Sequence, residues 1–348
     1  MGGPQSRREI IIGQRRIGTG LPAYIIAEIG FNHGGDLGLA LDMIAAAAAA
    51  GVDAVKFQTF RANRLTLESS PHFSVIKSGE LGEAEHRQLA EAARAHGVDF
   101  LSTPFCTDSA SMLDGIGVPA FKVASMDVDD LPLLRHIAGL GKPILLSTGM
   151  STLAEIGDAV AAIRQAGNED IVLLHCMSLY PTPLDAAHLR GLVPLAEAFG
   201  LPVGYSDHVL GNAAALAAAT LGAVVIEKHF TSDRSLPGPD HAMSADTAEM
   251  AALVRAIREA EMALGRACLD ATRPDRAHAE AFRRSIYASC AIPKGATITA
   301  AMLKYVRPGG GLSPALADRV IGAVARTEIA ADTAIRPDLL EARGPLDV

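Results

Sequence analysis

Eight short apolar runs punctuate the chain between residues 24 and 230, and each is followed by a stretch of helical character. The runs cover residues 24–30, 54–60, 99–105, 120–126, 143–149, 171–177, 202–208 and 224–230. Six of them have a tight core of β-branched or apolar residues, which suits strands buried on both faces. The intervening segments carry helix boundaries. Residues 36–50 are alanine-rich and stop at Gly51, and residues 83–96 stop at Gly97. Ser151 or Thr152 opens a helix running to Gln165, with Glu155 at the capping-box spacing from Thr152 and Gly167 just beyond the end. Residues 246–265 complete the series. Eight strand–helix units in about 240 residues predict an α/β fold closed into a (β/α)8 TIM barrel. A doubly wound sheet is the competing architecture, but no G-x-G-x-x-G follows the first strand.

Polar residues collect late in these runs: Glu28, Lys56, Thr103, Lys122, Ser125, Ser147, His175, Ser206, His208, Glu227 and His229. In a barrel the C-terminal strand ends converge on one mouth, where active sites are built. A charge inside a doubly buried strand needs a partner or a function. Eight strands repeating the habit point to function. His208 and His229 end consecutive strands, which stand about 5 Å apart. Two imidazoles there suit a shared divalent ion, with Glu227 or Asp207 as a further ligand or as its support. Lys56 and Lys122, interleaved with Thr103, Ser125, Ser147 and Ser206, suit an anionic substrate such as a phosphate ester. The competing readings are internal ion pairs with Glu28, Asp127 and Glu227, or a Schiff-base lysine at Lys56 or Lys122. A P-loop is absent from the sequence.

A barrel leaves part of the 348 residues over. The texture changes after Gly265, where residues 268–281 are polar and charged. Short apolar runs then alternate with turns at 293–295 and 307–311, which predicts a small second domain. The expected division is a barrel domain over 1–267, a linker over 268–282 and a small domain over 283–348. Charge follows the same division. Residues 281–348 carry net +3, so the rest carries −11 of the overall −8. An acidic chain is a poor general nucleic-acid binder, and an apolar content of 49% is incompatible with overall disorder. Uncharged apolar stretches of membrane-spanning length are also absent from the sequence. Cys106, Cys176, Cys268 and Cys290 stand far apart without a C-x-x-C pair, and the first ten residues lack a signal-type apolar core. Free thiols in a reducing cytoplasm are therefore expected.

The motifs carry a resemblance. They are IIAEIGFNHGGD (25–36), DAVKFQTF (53–60), LSTPF (101–105), FKVASMD, KPILLSTGM, LLHCMSLYPTP, VGYSDH, VIEKHFT, LPGPDHAMS and, in the tail, YVRPGGGLSP. Together they resemble the sialic acid synthase family, whose members condense phosphoenolpyruvate with N-acetylmannosamine or a related acetamido sugar. The resemblance covers nearly the whole chain. It implies a TIM barrel followed by an antifreeze-like (SAF) domain, in a domain-swapped homodimer whose small domain covers the partner's barrel mouth. It also implies that His208 and His229 bind a divalent ion, most often manganese, with magnesium or cobalt as substitutes. Lys56, Thr103, Lys122, Ser125, Ser147, Tyr180 and Ser206 would hold phosphoenolpyruvate, with Lys56 and Lys122 acting on the reacting groups. Glu28, Asp240 and the partner's Arg307 would meet the sugar, and Glu28 or Asp127 would carry protons.

Two departures from the family pattern stand out. Ser178 occupies a position that is Asn in many bacterial members, and Gly34-Gly35 replaces the usual Asn-Gly. The expected consequences are a shorter polar contact at residue 178, a differently shaped first loop, and an effect on the sugar rather than on the reaction. N-acetylmannosamine is the first expected acceptor, and a diacetamido-deoxy hexose leading to legionaminic or pseudaminic acid is the alternative. A metal-independent aldolase and a non-catalytic sugar-binding protein are the rival classes.

Overall fold

A computed structural model describes residues 9–265 and 273–341. Cys268 and the first part of the expected linker lie outside the described residues. The chain divides into two compact units between Gly265 and Arg266.

The first unit begins with an antiparallel hairpin, β1 (Ile10–Ile12) and β2 (Arg15–Ile17). Eight parallel strands follow: β3 (Tyr24–Gly30), β4 (Ala54–Thr59), β5 (Asp99–Pro104), β6 (Phe121–Val123), β7 (Ile144–Ser147), β8 (Ile171–Cys176), β9 (Val203–Asp207) and β10 (Val225–His229). They hydrogen-bond in the order β5-β4-β3-β10-β9-β8-β7-β6. The two end strands, β5 and β6, pack side by side, so the sheet curls into a nearly closed (β/α)8 barrel.

Each strand leads to a helix: α1 (Leu37–Ala49), α2 (Glu83–Ala95), α3 (Thr107–Ile116), α4 (Leu131–Gly139), α5 (Leu153–Gln165), α6 (Leu192–Phe199), α7 (Ala213–Thr220) and α8 (Thr247–Leu264). The caps are those the sequence encodes. Thr152 Oγ1 accepts from Glu155 N at 3.3 Å, while Glu155 Oε2 accepts from Thr152 N at 2.7 Å. Asp36 and Asp246 each accept from the backbone three residues on, capping α1 and α8.

Strand alternation splits the interior into two cores. Ile25, Val55, Phe57, Phe121, Leu146 and Leu173 face the helices. Tyr24, Ile26, Ala54, Leu101, Leu145 and Leu174 face the barrel axis, where the hairpin residues Ile10, Ile12 and Ile17 join them. The hairpin therefore plugs the N-terminal end of the barrel. Burying each isoleucine there contributes about 1.5–3 kcal/mol. Gly204 of β9 takes part through what it lacks. A Cβ there would lie 2.6 Å from both Leu174 Cδ2 and the Val225 carbonyl oxygen.

One boundary departs from the sequence expectation. β6 stops at Val123, and Ser125–Asp127 forms a 3-10 turn instead of continuing the strand. Ser and Asp favour such local turns over a ladder. Ser125 and Asp127 therefore sit on a loop above the strand end.

The second unit is all short elements around its own core of Ile286, Ile292, Ile298, Leu303, Val320 and Ile335. β11 (Ser285–Ala288) pairs antiparallel with β12 (Leu303–Val306). Isolated bridges, Ile292 to Ile329 and Thr297 to Val324 among them, complete it.

Candidate active site

The polar strand ends meet at the C-terminal mouth, at the far end from the hairpin. Register explains why. Glu28 lies beside Lys56 across β3 and β4, Ser206 beside Glu227 across β9 and β10, and His229 beside Glu28 across β10 and β3. Glu28, Lys56, Lys122, Ser206 and Glu227 share the axis-facing phase and are nearly inaccessible to solvent.

Four of them form a buried belt. Lys56 Nζ is 2.5 Å from Glu28 Oε2, 3.0 Å from Thr103 Oγ1 and 3.8 Å from Glu227 Oε2. Lys122 Nζ lies 3.7 Å from Glu227 Oε1 and donates to the Val123 carbonyl at 3.2 Å. Ser206 Oγ donates to Glu227 Oε1 at 2.9 Å. Two cations and two carboxylates cancel in charge, which lowers the cost of burying them. Their environments still separate the acids. Burial raises the Glu28 carboxyl to about 7, against the pull of Lys56. Glu227 feels the same burial, but Lys122 and Lys56 together outweigh it and hold the carboxyl at about 2. Glu28 is thus the carboxyl able to take up a proton, and Glu227 the fixed anion. Burial lowers Lys122, whereas Lys56, also opposed by burial, is raised by Glu227 and Glu28.

Beside the belt stand the two histidines, their ring centroids 5.4 Å apart. The Tyr180 ring lies 4.1 Å from His208 and 6.1 Å from His229. Burial pushes both imidazoles down, so both are neutral. His208 Nδ1 donates to the Met177 carbonyl at 2.8 Å, which leaves the Nε2 lone pair free. His229 Nδ1 is buried and has no hydrogen-bond partner among the described residues; Asp240 Oδ2 is 3.9 Å away. Neutral rings with open lone pairs fit a divalent metal. Among the described residues, no three His, Cys, Asp or Glu side chains converge on one metal position. Of the expected ligand set, the structure brings together the imidazole pair.

A third corner is made of small groups. Ser125 Oγ accepts from Gly149 N at 3.0 Å and lies 3.7 Å from Cys176 Sγ. Ser147 Oγ and Ser178 Oγ are buried without a hydrogen-bond partner among the described residues. A Cβ on Gly149 would come within 2.4 Å of Ser178 Oγ and 2.9 Å of Ser125 Oγ, so glycine keeps this corner open. Asp127 sits on the adjoining turn. Burial raises its carboxyl to about 6, and Asp130 adds to the shift.

Some expectations need correction. Asp207 and Lys228 lie on the outward phase of their strands. Lys228 Nζ donates to Asp207 Oδ2 at 2.7 Å and to the Val209 carbonyl at 2.7 Å, so Asp207 is a structural ion-pair partner and no ligand beside His208. Glu227 is committed to Ser206 and the two lysines. His175 also faces outward, where Nε2 donates to the Ala187 carbonyl at 2.9 Å. Gly34 has φ +56° and open space around its Cβ position, a conformation Asn also tolerates. An Asn at residue 34 could therefore adopt the same backbone conformation. Gly35 is the demanding position, with φ +89° and a Cβ site 2.1 Å from the Ser78 carbonyl oxygen. Arg307 belongs to the second unit, where its guanidinium lies 5.8 Å from the Phe282 ring. Cys176, Gly149 and Asn32 escaped the sequence reading. Cys176 was legible in principle, since it follows the axis-facing Leu174 by two residues.

Comparison with known proteins agrees with this architecture. The NeuB family profile matches residues 43–268, and the SAF domain profile matches residues 283–341. The N,N'-diacetyllegionaminic acid synthase of Legionella pneumophila is 39% identical over 95% of this chain and 98% of its own length. The pseudaminic acid synthase of Campylobacter jejuni is 38% identical over 89% of this chain and 94% of its own. The crystal structure of N-acetylneuraminic acid (sialic acid) synthetase from Leptospira borgpetersenii serovar Hardjo-bovis, in complex with citrate, is 37% identical. It covers 78% of this chain and 95% of its own, with a TM-score of 0.75. The chain is an enzyme-type barrel with a SAF domain, and it belongs to the NeuB family.

Proposed function

We propose that this chain condenses phosphoenolpyruvate with a diacetamido-deoxy hexose, giving a nonulosonic acid of the legionaminic or pseudaminic type and inorganic phosphate. The observation that carries the reaction is the joining, in one mouth, of two buried lysines, a set of hydroxyls and two neutral imidazoles. The acceptor follows the names of the two curated relatives, so N-acetylmannosamine becomes the second reading. That second reading draws its support from the Leptospira synthetase.

Lys56 and Lys122 bind the carboxylate and phosphate of phosphoenolpyruvate, and Thr103, Ser125, Ser147, Ser178 and Ser206 orient them. Glu227 holds both lysines in place. Tyr180 closes the side of the mouth next to His208. Glu28, or Asp127 on the turn after β6, holds the proton exchanged with water or the sugar. Asp240 meets the sugar beside His229. His208 and His229 would hold a divalent cation, manganese first, which supplies a Lewis acid toward a carbonyl oxygen. A homodimer in which the partner's Arg307 reaches this mouth completes the reading. Mixing Lys56→Met and Arg307→Ala chains, each inactive alone, would then restore activity in the hybrid.

The deciding experiment is phosphate release from phosphoenolpyruvate across a sugar panel. The panel holds the legionaminic-type and pseudaminic-type diacetamido precursors, N-acetylmannosamine and its 6-phosphate. The highest kcat/KM is expected with a diacetamido sugar. Preference for N-acetylmannosamine would install the second reading. A borohydride-trapped pyruvate adduct on Lys122, with turnover insensitive to chelator, would replace both with an aldolase. Sugar binding without phosphate release would leave a binding protein.

A further inference from the structure

Asn32 has no part in the reaction as proposed, yet it ties three parts of the mouth together. It lies just beyond β3, the strand of Glu28, and is 1% exposed. Its Nδ2 donates to the Phe230 carbonyl at 2.9 Å and to Ser244 Oγ at 2.9 Å. Phe230 directly follows His229. Ser244, itself fully buried, donates through Oγ to the Asp240 carbonyl at 2.7 Å. The two amide hydrogens therefore link the Glu28 strand to the His229 strand and to the turn bearing Asp240.

The Asp240 carboxylate accepts no hydrogen bond among the described residues, and its Oδ2 lies 3.9 Å from His229 Nδ1. Its position is thus fixed through the backbone of its turn. That backbone is held by Ser244, by the pairing of Thr231 Oγ1 with His241 Nδ1 at 2.8 Å, and by Ala245 N donating to the His229 carbonyl at 2.8 Å. Asn32 is the link in this set that comes from the opposite side of the β3–β10 pair.

We propose that Asn32 is a positioning residue which, through Ser244, sets Asp240 against His229 for the acceptor sugar. The sugar half of this statement rests on the reading of the mouth given above. Its chemistry is specific to an amide. A carboxylate at this position cannot donate to the Phe230 carbonyl, and a hydroxyl side chain has one hydrogen for the two acceptors.

The test joins kinetics with hydrogen exchange on the full-length protein. Asn32→Ala is expected to raise KM for the sugar at least tenfold while KM for phosphoenolpyruvate stays within twofold. In an Asp240→Asn background the same substitution should add less than twofold, because the clamp acts through Asp240. Amide exchange in peptides spanning residues 231–245 should quicken at least tenfold, with peptides of the hairpin and lower strands unchanged. Ser244→Ala cuts the same link at its other end and serves if Asn32→Ala does not fold. An equal rise in both KM values, or multiplicative losses with Asp240→Asn, would overturn the positioning role. Unchanged exchange in 231–245 would overturn the clamp itself. Exchange reads the clamp even if the wild-type chain turns over none of the panel, an outcome that defeats the functional reading alone.

Discussion

The two ends of the barrel are made by the same eight strands and are chemically opposite. At the N-terminal end Tyr24, Ala54, Leu101, Leu145 and Val172 meet the hairpin isoleucines in an apolar plug. A few residues further along the same strands, Glu28, Lys56, Lys122 and Glu227 are just as buried but charged. The plug gains free energy from every methylene it removes from water. The mouth spends part of that gain on desolvating ions whose mutual attraction only partly offsets the cost. One end thus holds the barrel shut so that the other can keep charges at fixed distances for a substrate.

Substitutions at the two ends should separate rate from stability. Lys56→Met removes the cation shared by Glu28 and Glu227. Phosphate release should fall by about 10³-fold or more, with a stability loss of about 3–5 kcal/mol from the uncompensated carboxylates. Retention of a tenth of the activity would end the assignment of this lysine to substrate. Under the proposed function, chelation should act on the same end and leave the fold intact. Chelation is expected to abolish turnover by at least about 10²-fold, with recovery on adding manganese. Full activity at a metal content verified as zero would remove the imidazole pair from the reaction.

The plug should respond in the opposite way. Ile12 is fully buried, and Ile12→Ala should cost about 2–4 kcal/mol in urea unfolding while leaving kcat/KM within a factor of about two. A matching loss of activity would mean that the two ends are mechanically coupled.

The smallest effect concerns Asp127, whose folded-state carboxyl is raised to about 6, burial first and Asp130 second. A raised acid stabilises the fold only while protonated. Its contribution is complete below the unfolded value of about 4 and is lost as pH rises through about 6. Asp127→Asn escapes that loss. It should equal wild type near pH 3.5 and be more stable by roughly 1–2 kcal/mol above pH 7, a figure reduced for partial solvent access. A pH-independent difference in melting temperature would show that burial does not control this carboxyl.

Much of the fold was legible because its signals are local. The eight apolar runs, the Thr152–Glu155 box and the glycines after the helices each reside within a few residues, and the observed elements start and stop close to them. The hairpin at Ile10–Ile17 was not legible, since six apolar and basic residues around one glycine say nothing of the barrel end they will cover. The site was legible as a set of residue types at strand ends. Its membership was not: His175, Asp207 and Lys228 carry the same chemistry as their neighbours and point the other way.

By itself, then, the sequence determined the strand–helix count, the boundary near Gly265 and the gathering of lysines, carboxylates and imidazoles at one end of the strands. Tertiary structure alone decided which of them share a cavity. A strand presents alternate residues to opposite faces, and its phase about the barrel axis is fixed only when neighbouring strands lock register. That locking put Lys56 against Glu28 and Glu227, turned Asp207 onto Lys228, and brought Asn32 across to the turn of Asp240.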